Sequence, residues 1–277
     1  MGLGIVAGTE ALLFAGEPTV GRWFTPLVWT GYVLAADALV ARLTGRSYLT
    51  TDRLEGALVA LVSVGAWWLF EWYNAPRFWR GGDDLRGLWW QYHALEPNLL
   101  LRRVGYDWAF ATIFPALFLT AAALRATVFA GLSVRPWRPP PALLRGAVAA
   151  GAVAVALPLL APSAWLVPLV WTGFVLLLEP LNFRRGRPSW LAALERGDAS
   201  LLCALLAAGA LCGVLWEFWN YWAVTRWTYT VPYASDLKVF EMPVVGYLGF
   251  LPFALECFAM YHWVRGRLGA REAPAVV

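Results

Sequence analysis

The chain has 277 residues, of which 60% are hydrophobic and 14% are charged, and its net charge at pH 7 is +4. A soluble domain carries about 25% charged residues, so this composition excludes a water-exposed globular surface. The basic residues are arginines apart from Lys238, and they lie at the ends of apolar runs. Nucleic acid is therefore excluded as a partner, because its recognition requires a basic stripe on one surface. A lipid bilayer is the expected environment.

Seven apolar runs predict transmembrane helices near residues 22–43, 54–75, 106–125, 144–161, 164–183, 199–223 and 246–265. Each run is long enough to cross a hydrocarbon core of about 30 Å. The runs are continuous and rich in Leu and Ala, which predicts helices rather than the alternating strands of a barrel. The residues before the first run lack the basic region of a signal peptide, and we expect them to lie in the membrane interface.

The distribution of basic residues predicts the orientation in the membrane. With an external amino terminus, fourteen of the 22 basic residues fall in the cytoplasmic loops and tail and eight fall on the other side. The eight include Arg77, Arg80 and Arg86 in the loop after the second helix, and the tail contains Arg271. This bias predicts an external amino terminus and a cytoplasmic carboxyl terminus, in a multi-pass protein of the bacterial inner membrane.

An internal repeat relates the two halves of the chain. The segment PLVWTGY at 26–32 recurs as PLVWTGF at 168–174. Matches in the same order follow, so helices 1–3 correspond to helices 5–7 and helix 4 is left unmatched. The pattern predicts an all-α polytopic bundle in a 3+1+3 arrangement with a parallel duplication. The first repeat covers 1–132, the linker and connecting helix 133–162, and the second repeat 163–277.

Two matching polar pairs lie near the outer ends of the second and sixth predicted helices. Glu71 and Asn74 in EWYN recur as Glu217 and Asn220 in EFWN. The i, i+3 spacing places both side chains of a pair on one helix face. Ionisable side chains within a span cost at least about 2.5 kcal/mol on insertion scales and face the bundle interior. If the two carboxylates lie close together, their repulsion favours a retained proton and hence a proton donor; alternatively, these residues only join helices by hydrogen bonds.

Glu256 is a further candidate because it lies near the middle of the seventh predicted helix. It follows Pro252 by four residues, whereas the first repeat has Leu119 after Pro115. A mid-membrane carboxylate without a counterpart in the other repeat is a candidate functional residue. Glu241, close before a proline in an outer loop, either lines the mouth of a site or faces water.

Other polar residues are predicted to have ordinary structural roles. Asp37 and Glu179 lie close before Arg42 and Arg184, and we expect an ion pair in each case. The two histidines are predicted to lie too far apart for a shared haem or metal site, so no cofactor is expected.

Aromatic residues are abundant, with 18 Trp, 10 Tyr and 15 Phe, and many lie near the outer helix ends. An interfacial aromatic belt explains part of this pattern. Aromatic rings around a carboxylate also suit a carbocation, which ring faces stabilise, or a bound polyene or quinone.

The second repeat resembles a known family in the motifs Trp216-Glu217 to Trp219-Asn220, Trp227-Thr228-Tyr229, and Pro252 with Glu256. The family is that of the membrane-integral lycopene cyclases, which have two homologous three-helix units, although its Pro-x-Glu-Glu motif is absent here. The resemblance implies proton transfer to a hydrophobic isoprenoid. The predicted catalytic residues are Glu71, Glu217 and Glu256, and the predicted substrate-binding residues are Asn74, Asn220, Trp216, Trp219, Trp227, Tyr229 and Glu241.

Three functions are compatible with these patterns. The first is proton-initiated isomerisation or cyclisation of a carotenoid-like substrate by a membrane enzyme. The second is a non-catalytic pigment- or lipid-binding subunit of a larger membrane complex. The third is a small-molecule carrier, because parallel three-helix repeats around a linker helix also occur in sugar transporters.

Overall fold

The computed structural model describes residues 1–75, 87–269 and 276, and α-helices dominate this part of the chain. The helices are α1 (Gly2–Phe14), α2 (Pro18–Arg22), α3 (Phe24–Thr44), α4 (Arg53–Asn74), α5 (Leu99–Ala111), α6 (Ile113–Ala126), α7 (Pro141–Leu160), α8 (Val167–Arg184), α9 (Trp190–Glu195), α10 (Ser200–Trp222) and α11 (Phe250–Arg267). Short 3₁₀ helices, Ala164–Leu166 and Val244–Gly249, precede α8 and α11. The strands are β1 (Trp90–His93), β2 (Arg226–Tyr229), β3 (Lys238–Val239) and β4 (Met242–Pro243).

Seven helical segments within the described residues are long and apolar enough to cross a membrane: Phe24–Thr44, Arg53–Asn74, Leu99–Ala126, Pro141–Leu160, Ala164–Arg184, Ser200–Trp222 and Val244–Arg267. They coincide with the seven predicted spans, and the predicted polytopic helix bundle is confirmed. The third segment begins at Leu99 rather than near residue 106. The reason is that the Asn98 side chain caps its first turn by accepting hydrogen bonds from two backbone N–H groups.

Successive spans alternate in direction, so the loops lie at two opposite ends of the bundle. The end at which α4 and α10 finish is called the aromatic end below. The opposite end, where α3, α8 and α11 finish, is called the arginine end. Of the residues that predicted the topology, Arg77, Arg80, Arg86 and Arg271 lie outside the described residues.

Close backbone contacts join α1 to α3 and α7 to α8. A Cβ atom on Gly31 of α3 would lie 2.9 Å from the backbone nitrogen of Val6 in α1. A Cβ atom on Gly173 of α8 would lie 3.2 Å from Cβ of Ala154 in α7. The amino-terminal segment, expected in the interface, therefore packs on α3 as α7 packs on α8, and the two glycines share the offset of the predicted repeat. The duplication itself remains a prediction.

The third span is broken between α5 and α6 by a hydroxyl group. Pro115 in the first turn of α6 has no backbone N–H and its ring disfavours a continuous helix. The Ser63 hydroxyl of α4 enters the gap, donating to the Phe110 carbonyl at 2.5 Å and accepting from the Phe114 N–H at 3.1 Å. Both backbone groups are thus paired although the helix is interrupted, as burial requires. Below the break lies the core, where Phe118 of α6 contacts Phe258 of α11.

The ion pair predicted between Asp37 and Arg42 is wrong. Asp37 is buried, and its carboxylate accepts a hydrogen bond from the Ser47 hydroxyl at 2.7 Å and one from the Leu49 N–H at 3.2 Å. Because Asp37 points into the bundle and Arg42 is exposed in the last turn of α3, the loop after α3 satisfies the acid instead.

The ion pair predicted between Glu179 and Arg184 is wrong for the same reason. Glu179 is buried and accepts hydrogen bonds from the Ser189 hydroxyl at 2.6 Å and the Leu191 N–H at 3.0 Å. Each of these three residues lies 142 positions after its counterpart in the Asp37 cluster, which is the offset of the PLVWTG motif. The shared hydrogen-bonding pattern supports the predicted duplication.

Candidate functional site: an aromatic cavity beneath a two-stranded ribbon

A two-stranded antiparallel ribbon of β1 and β2 covers the aromatic end of the bundle. Its register pairs Trp90 with Tyr229 and Tyr92 with Trp227. Side chains alternate along a strand, so the Trp and Tyr of each strand lie on one face, and the register brings all four to the same face. Each strand therefore contributes a Trp-x-Tyr motif directed toward the ends of α4 and α10.

Asparagine side chains at the ends of α4 and α10 hold the two outer edges of the ribbon. Asn220 accepts a hydrogen bond from the Trp227 N–H at 2.9 Å and donates one to the Trp227 carbonyl at 2.8 Å. Asn74 accepts from the N–H groups of Trp89 and Trp90, at 2.8 and 3.2 Å, and donates to the Trp90 carbonyl at 3.0 Å. Each amide thus pairs outward-facing backbone groups that the neighbouring strand leaves free.

Glu71, one turn before Asn74, is held by the ribbon. Its Oε1 accepts hydrogen bonds from Nε1 of Trp67 at 3.0 Å and Nε1 of Trp90 at 3.1 Å. The Tyr92 hydroxyl donates a third hydrogen bond to the same oxygen at 2.5 Å. These three donors surround Oε1, and the arrangement favours a structural role for Glu71 in fixing the ribbon.

Glu217, the predicted counterpart of Glu71, is bound less completely. Its side chain is fully buried, and Oε1 accepts one hydrogen bond, from the Tyr229 hydroxyl at 2.7 Å. That hydroxyl in turn accepts a hydrogen bond from Nε1 of Trp227 at 2.8 Å. Among the described residues, Oε2 of Glu217 has no hydrogen-bond partner. One carboxyl oxygen is therefore anchored, whereas the other is buried without a hydrogen-bond donor among the described residues.

The two ribbon tyrosines are strongly biased toward their protonated forms. Burial, followed by the neighbouring Glu217 carboxylate, raises the pKa of Tyr229 well above its usual value. Burial, followed by Glu71, raises the pKa of Tyr92 in the same way. Both phenols therefore remain hydrogen-bond donors throughout the physiological pH range.

A cavity of about 480 Å³ lies beneath the ribbon and reaches Glu217. This volume falls within the range usual for small-molecule sites. Its walls are mainly apolar and rich in aromatic residues from several spans, including Trp29, Trp67, Trp171, Trp216, Phe250 and Phe253. The rings contact one another, as shown by centroid distances of 5.0 Å for Trp29 and Trp216 and 5.4 Å for Trp171 and Phe253.

The polar part of the cavity wall includes an ion pair at the aromatic end. Arg22 donates to the Glu96 carboxylate at 3.0 Å, and Arg102 donates to the Glu96 carbonyl at 2.7 Å. A hydrogen bond from the Asn98 backbone N–H, with a further contribution from Arg22, holds the pKa of Glu96 below its usual value. Glu96 therefore stays charged and paired at neutral pH.

The other predicted site residues lie outside the cavity wall. Glu256 is fully buried where α11 meets α8, and one of its carboxyl oxygens accepts from the Phe174 N–H at 3.0 Å. Trp219 donates to Glu10 of α1 at 2.8 Å. Glu241 pairs with Arg226 at 3.7 Å near the ribbon. Like Glu71, Asn74 and Asn220, these three residues do not line the cavity, whereas Glu217, Trp216, Trp227 and Tyr229 do.

Trp90 and Tyr92 are the site residues that sequence reasoning missed. Trp90-Gln91-Tyr92 repeats the Trp227-Thr228-Tyr229 motif, but the two share only alternate residues and follow loops of different length. A comparison of Trp-x-Tyr motifs between the predicted repeats would have found them. Within the described residues, no group of three or more potential metal ligands converges at this or any other place.

These observations define a multi-pass helical membrane protein with an aromatic-rich cavity whose described lining residues include the buried acid Glu217. No family model, no curated protein and no solved structure matches the chain significantly. The function is therefore inferred from the cavity itself.

Proposed function

We propose that the chain is a membrane enzyme that protonates a double bond of a hydrophobic, carotenoid-like isoprenoid and thereby isomerises or cyclises it. The proposal rests on one observation. The Glu217 carboxyl lies in the wall of an aromatic cavity, and its Oε2 has no hydrogen-bond partner among the described residues. The resemblance to lycopene cyclases points to the same reaction class. The proposal includes insertion in a bacterial inner membrane with the amino terminus outside, as the arginine bias indicates.

The chemistry requires a protonated Glu217 and no redox partner. The double bond supplies the electron pair for a new C–H bond, the O–H bond of Glu217 breaks, and the neighbouring carbon becomes a cation. Ring faces stabilise such a cation by about 0.5–2 kcal/mol each, and Trp is the best of them. In a cyclisation, a second double bond of the substrate attacks this cation, which forms the ring C–C bond and moves the positive charge to another carbon. Loss of a proton from a carbon next to the cation then forms a new double bond, so that atoms and charge balance in either reaction.

In this proposal, the Glu217 carboxylate itself takes that second proton. Neither Glu71 nor Glu256 lines the cavity, and Glu96, which does, is paired with Arg22. The return of the proton to Glu217 is therefore better supported than its transfer to a second carboxylate. The hydrogen bond from Tyr229 fixes Oε1 and would stabilise the carboxylate formed in the first step.

The experiment is product analysis in a lycopene-producing bacterial host that expresses the chain. Wild type is expected to form ring-bearing or isomerised products, and Glu217→Gln is expected to reduce them by at least about 100-fold, the lower range for general acid catalysis. Glu195→Gln, in an exposed pair with Arg138 at the arginine end, is the matched control and should retain full conversion. Conversion unchanged in Glu217→Gln would refute the proposed acid.

A pigment- or lipid-binding function is the second candidate, because the same aromatic cavity suits a ligand that is held without reaction. A pigment that copurifies in unchanged form with both wild type and Glu217→Gln would favour this function.

One observation favours the carrier hypothesis: two spans are interrupted, near Pro115 and near Pro252. Ligand movement across vesicles without chemical change would distinguish it from the other two.

A further inference from the structure

Three guanidinium groups surround a single indole ring at the arginine end. The guanidinium carbons of Arg185, Arg187 and Arg267 lie 4.6, 4.7 and 4.8 Å from the centroid of the Trp263 ring. An indole has two faces, so at least two of these groups share one face. All three lie within roughly one Debye length of one another, where salt screens their repulsion incompletely.

Within residues 1–75 and 87–269, no acid pairs with the positive charges of this cluster. Among the described residues, no carboxylate forms a salt bridge with any of the three arginines. Desolvation, followed by Arg185 and Arg267, lowers the pKa of Arg187, as expected for a group held among like charges.

The helix ends account for only part of the compensation. Arg187 donates a hydrogen bond to the Trp263 carbonyl in the last turn of α11 at 3.2 Å, and α8 ends close by at Arg184. A helix carboxyl end carries about half a negative charge, so two ends offset about one of the three positive charges. Among the described residues, about two positive charges remain without a counter-charge, and this excess favours the binding of an anion.

The cluster is also shaped to hold Arg187 close to α11. A Cβ atom on Gly266 would collide with Nε of Arg187, so a larger residue at this position would displace the guanidinium from its place against the helix. Arg185 and Arg267 are both exposed; Arg185 directly follows α8, and Arg267 is the last residue of α11. Planar guanidinium groups bind phosphate oxygens in bidentate fashion.

We propose that Arg185, Arg187 and Arg267 around Trp263 form a binding site for a phosphate group, independent of the aromatic cavity. Basic pockets at the ends of membrane helices bind lipid head groups, so the phosphate of an anionic phospholipid is one source. Free phosphate is the other source with the same chemistry.

The test is lipid retention by the full chain in detergent, measured by native mass spectrometry with cardiolipin, phosphatidylglycerol or phosphatidylcholine. Wild type is expected to retain an anionic lipid at least about tenfold better than phosphatidylcholine. The double variant Arg185→Gln/Arg267→Gln should lose at least about tenfold in that affinity, the effect of one charge-assisted hydrogen bond. The matched control is Arg42→Gln/Arg46→Gln, which removes two exposed arginines from the same end and should stay within about twofold of wild type.

A titration with inorganic phosphate separates the two sources. Displacement of the lipid and a rise in melting temperature by millimolar phosphate would assign the site to free phosphate as well; an effect of lipid alone would assign it to a head group. Equal affinities of wild type and the double variant, or equal losses in both double variants, would overturn the proposal. If the double variant fails to fold, the single variants carry the same test, with losses of about threefold each.

Discussion

The asparagine at the end of α10 gives the sharpest test of how the ribbon is held. Asn220→Ala removes two hydrogen bonds, from the Trp227 N–H and to the Trp227 carbonyl. A neutral hydrogen bond contributes about 0.5–1.5 kcal/mol net, so two of them stabilise the closed ribbon by about 1–3 kcal/mol. Local opening should become easier by this amount, and amide exchange in β1 and β2 should accelerate by about 5- to 150-fold.

Hydrogen exchange with mass spectrometric detection measures this effect directly. Amides in the middle of α10 serve as the internal reference, because their exchange should remain within about twofold of wild type. Asn220→Asp is the matched variant: it keeps an acceptor for the N–H but places a second oxygen against the Trp227 carbonyl, so exchange should also accelerate. Unchanged ribbon exchange in Asn220→Ala would refute the reasoning that the asparagine holds the ribbon.

Two further predictions concern titration and packing. Burial raises the pKa values of Tyr48, Tyr92 and Tyr229, so folding favours their protonated forms. This contribution to stability is complete below the pKa of tyrosine in the unfolded chain, which is about 10, and it is lost as the pH rises through the pKa values of the folded protein. Tyrosinate absorbance at high pH should therefore show these groups titrating only with loss of helical circular dichroism, and their titration in the folded state would contradict the assignment. Gly209→Ala should lower stability by about 1–3 kcal/mol, because the new Cβ would overlap the carbonyl that begins α11. Gly65→Ala, where a Cβ meets open space, should be neutral or stabilising in the same thermal melt, and equal effects of the two changes would contradict the packing argument.

The number and placement of the spans could be predicted from the sequence because a bilayer imposes a length and a polarity on every crossing segment. The one large boundary difference, at Leu99, arises where a capped amphipathic turn precedes the apolar run. Hydropathy responds to apolar length, and it does not report the first turns of a helix that contain Arg102 and Arg103.

The candidate site could be predicted only in part. The pairing of Glu217 with Asn220 on one helix face follows from their spacing, and the structure places both beneath the ribbon. Glu217 was predicted to be the counterpart of Glu71, yet the two acids differ in environment. Glu71 accepts three hydrogen bonds, whereas Glu217 accepts one and lies among the residues that line the cavity. That difference depends on which strand residues approach each acid, and spacing along a helix does not contain this information.

The sequence by itself determined the class of environment, the helical fold and the matching polar motifs, because these depend on composition and on periodicity along the chain. The tertiary structure decided which acids meet which donors. It turned Asp37 and Glu179 away from the predicted arginines toward loop serines, and it gathered Arg185, Arg187 and Arg267 around one indole. Such choices depend on crossing positions and strand register between segments far apart in the chain, where a shift of one residue reverses the direction of a side chain.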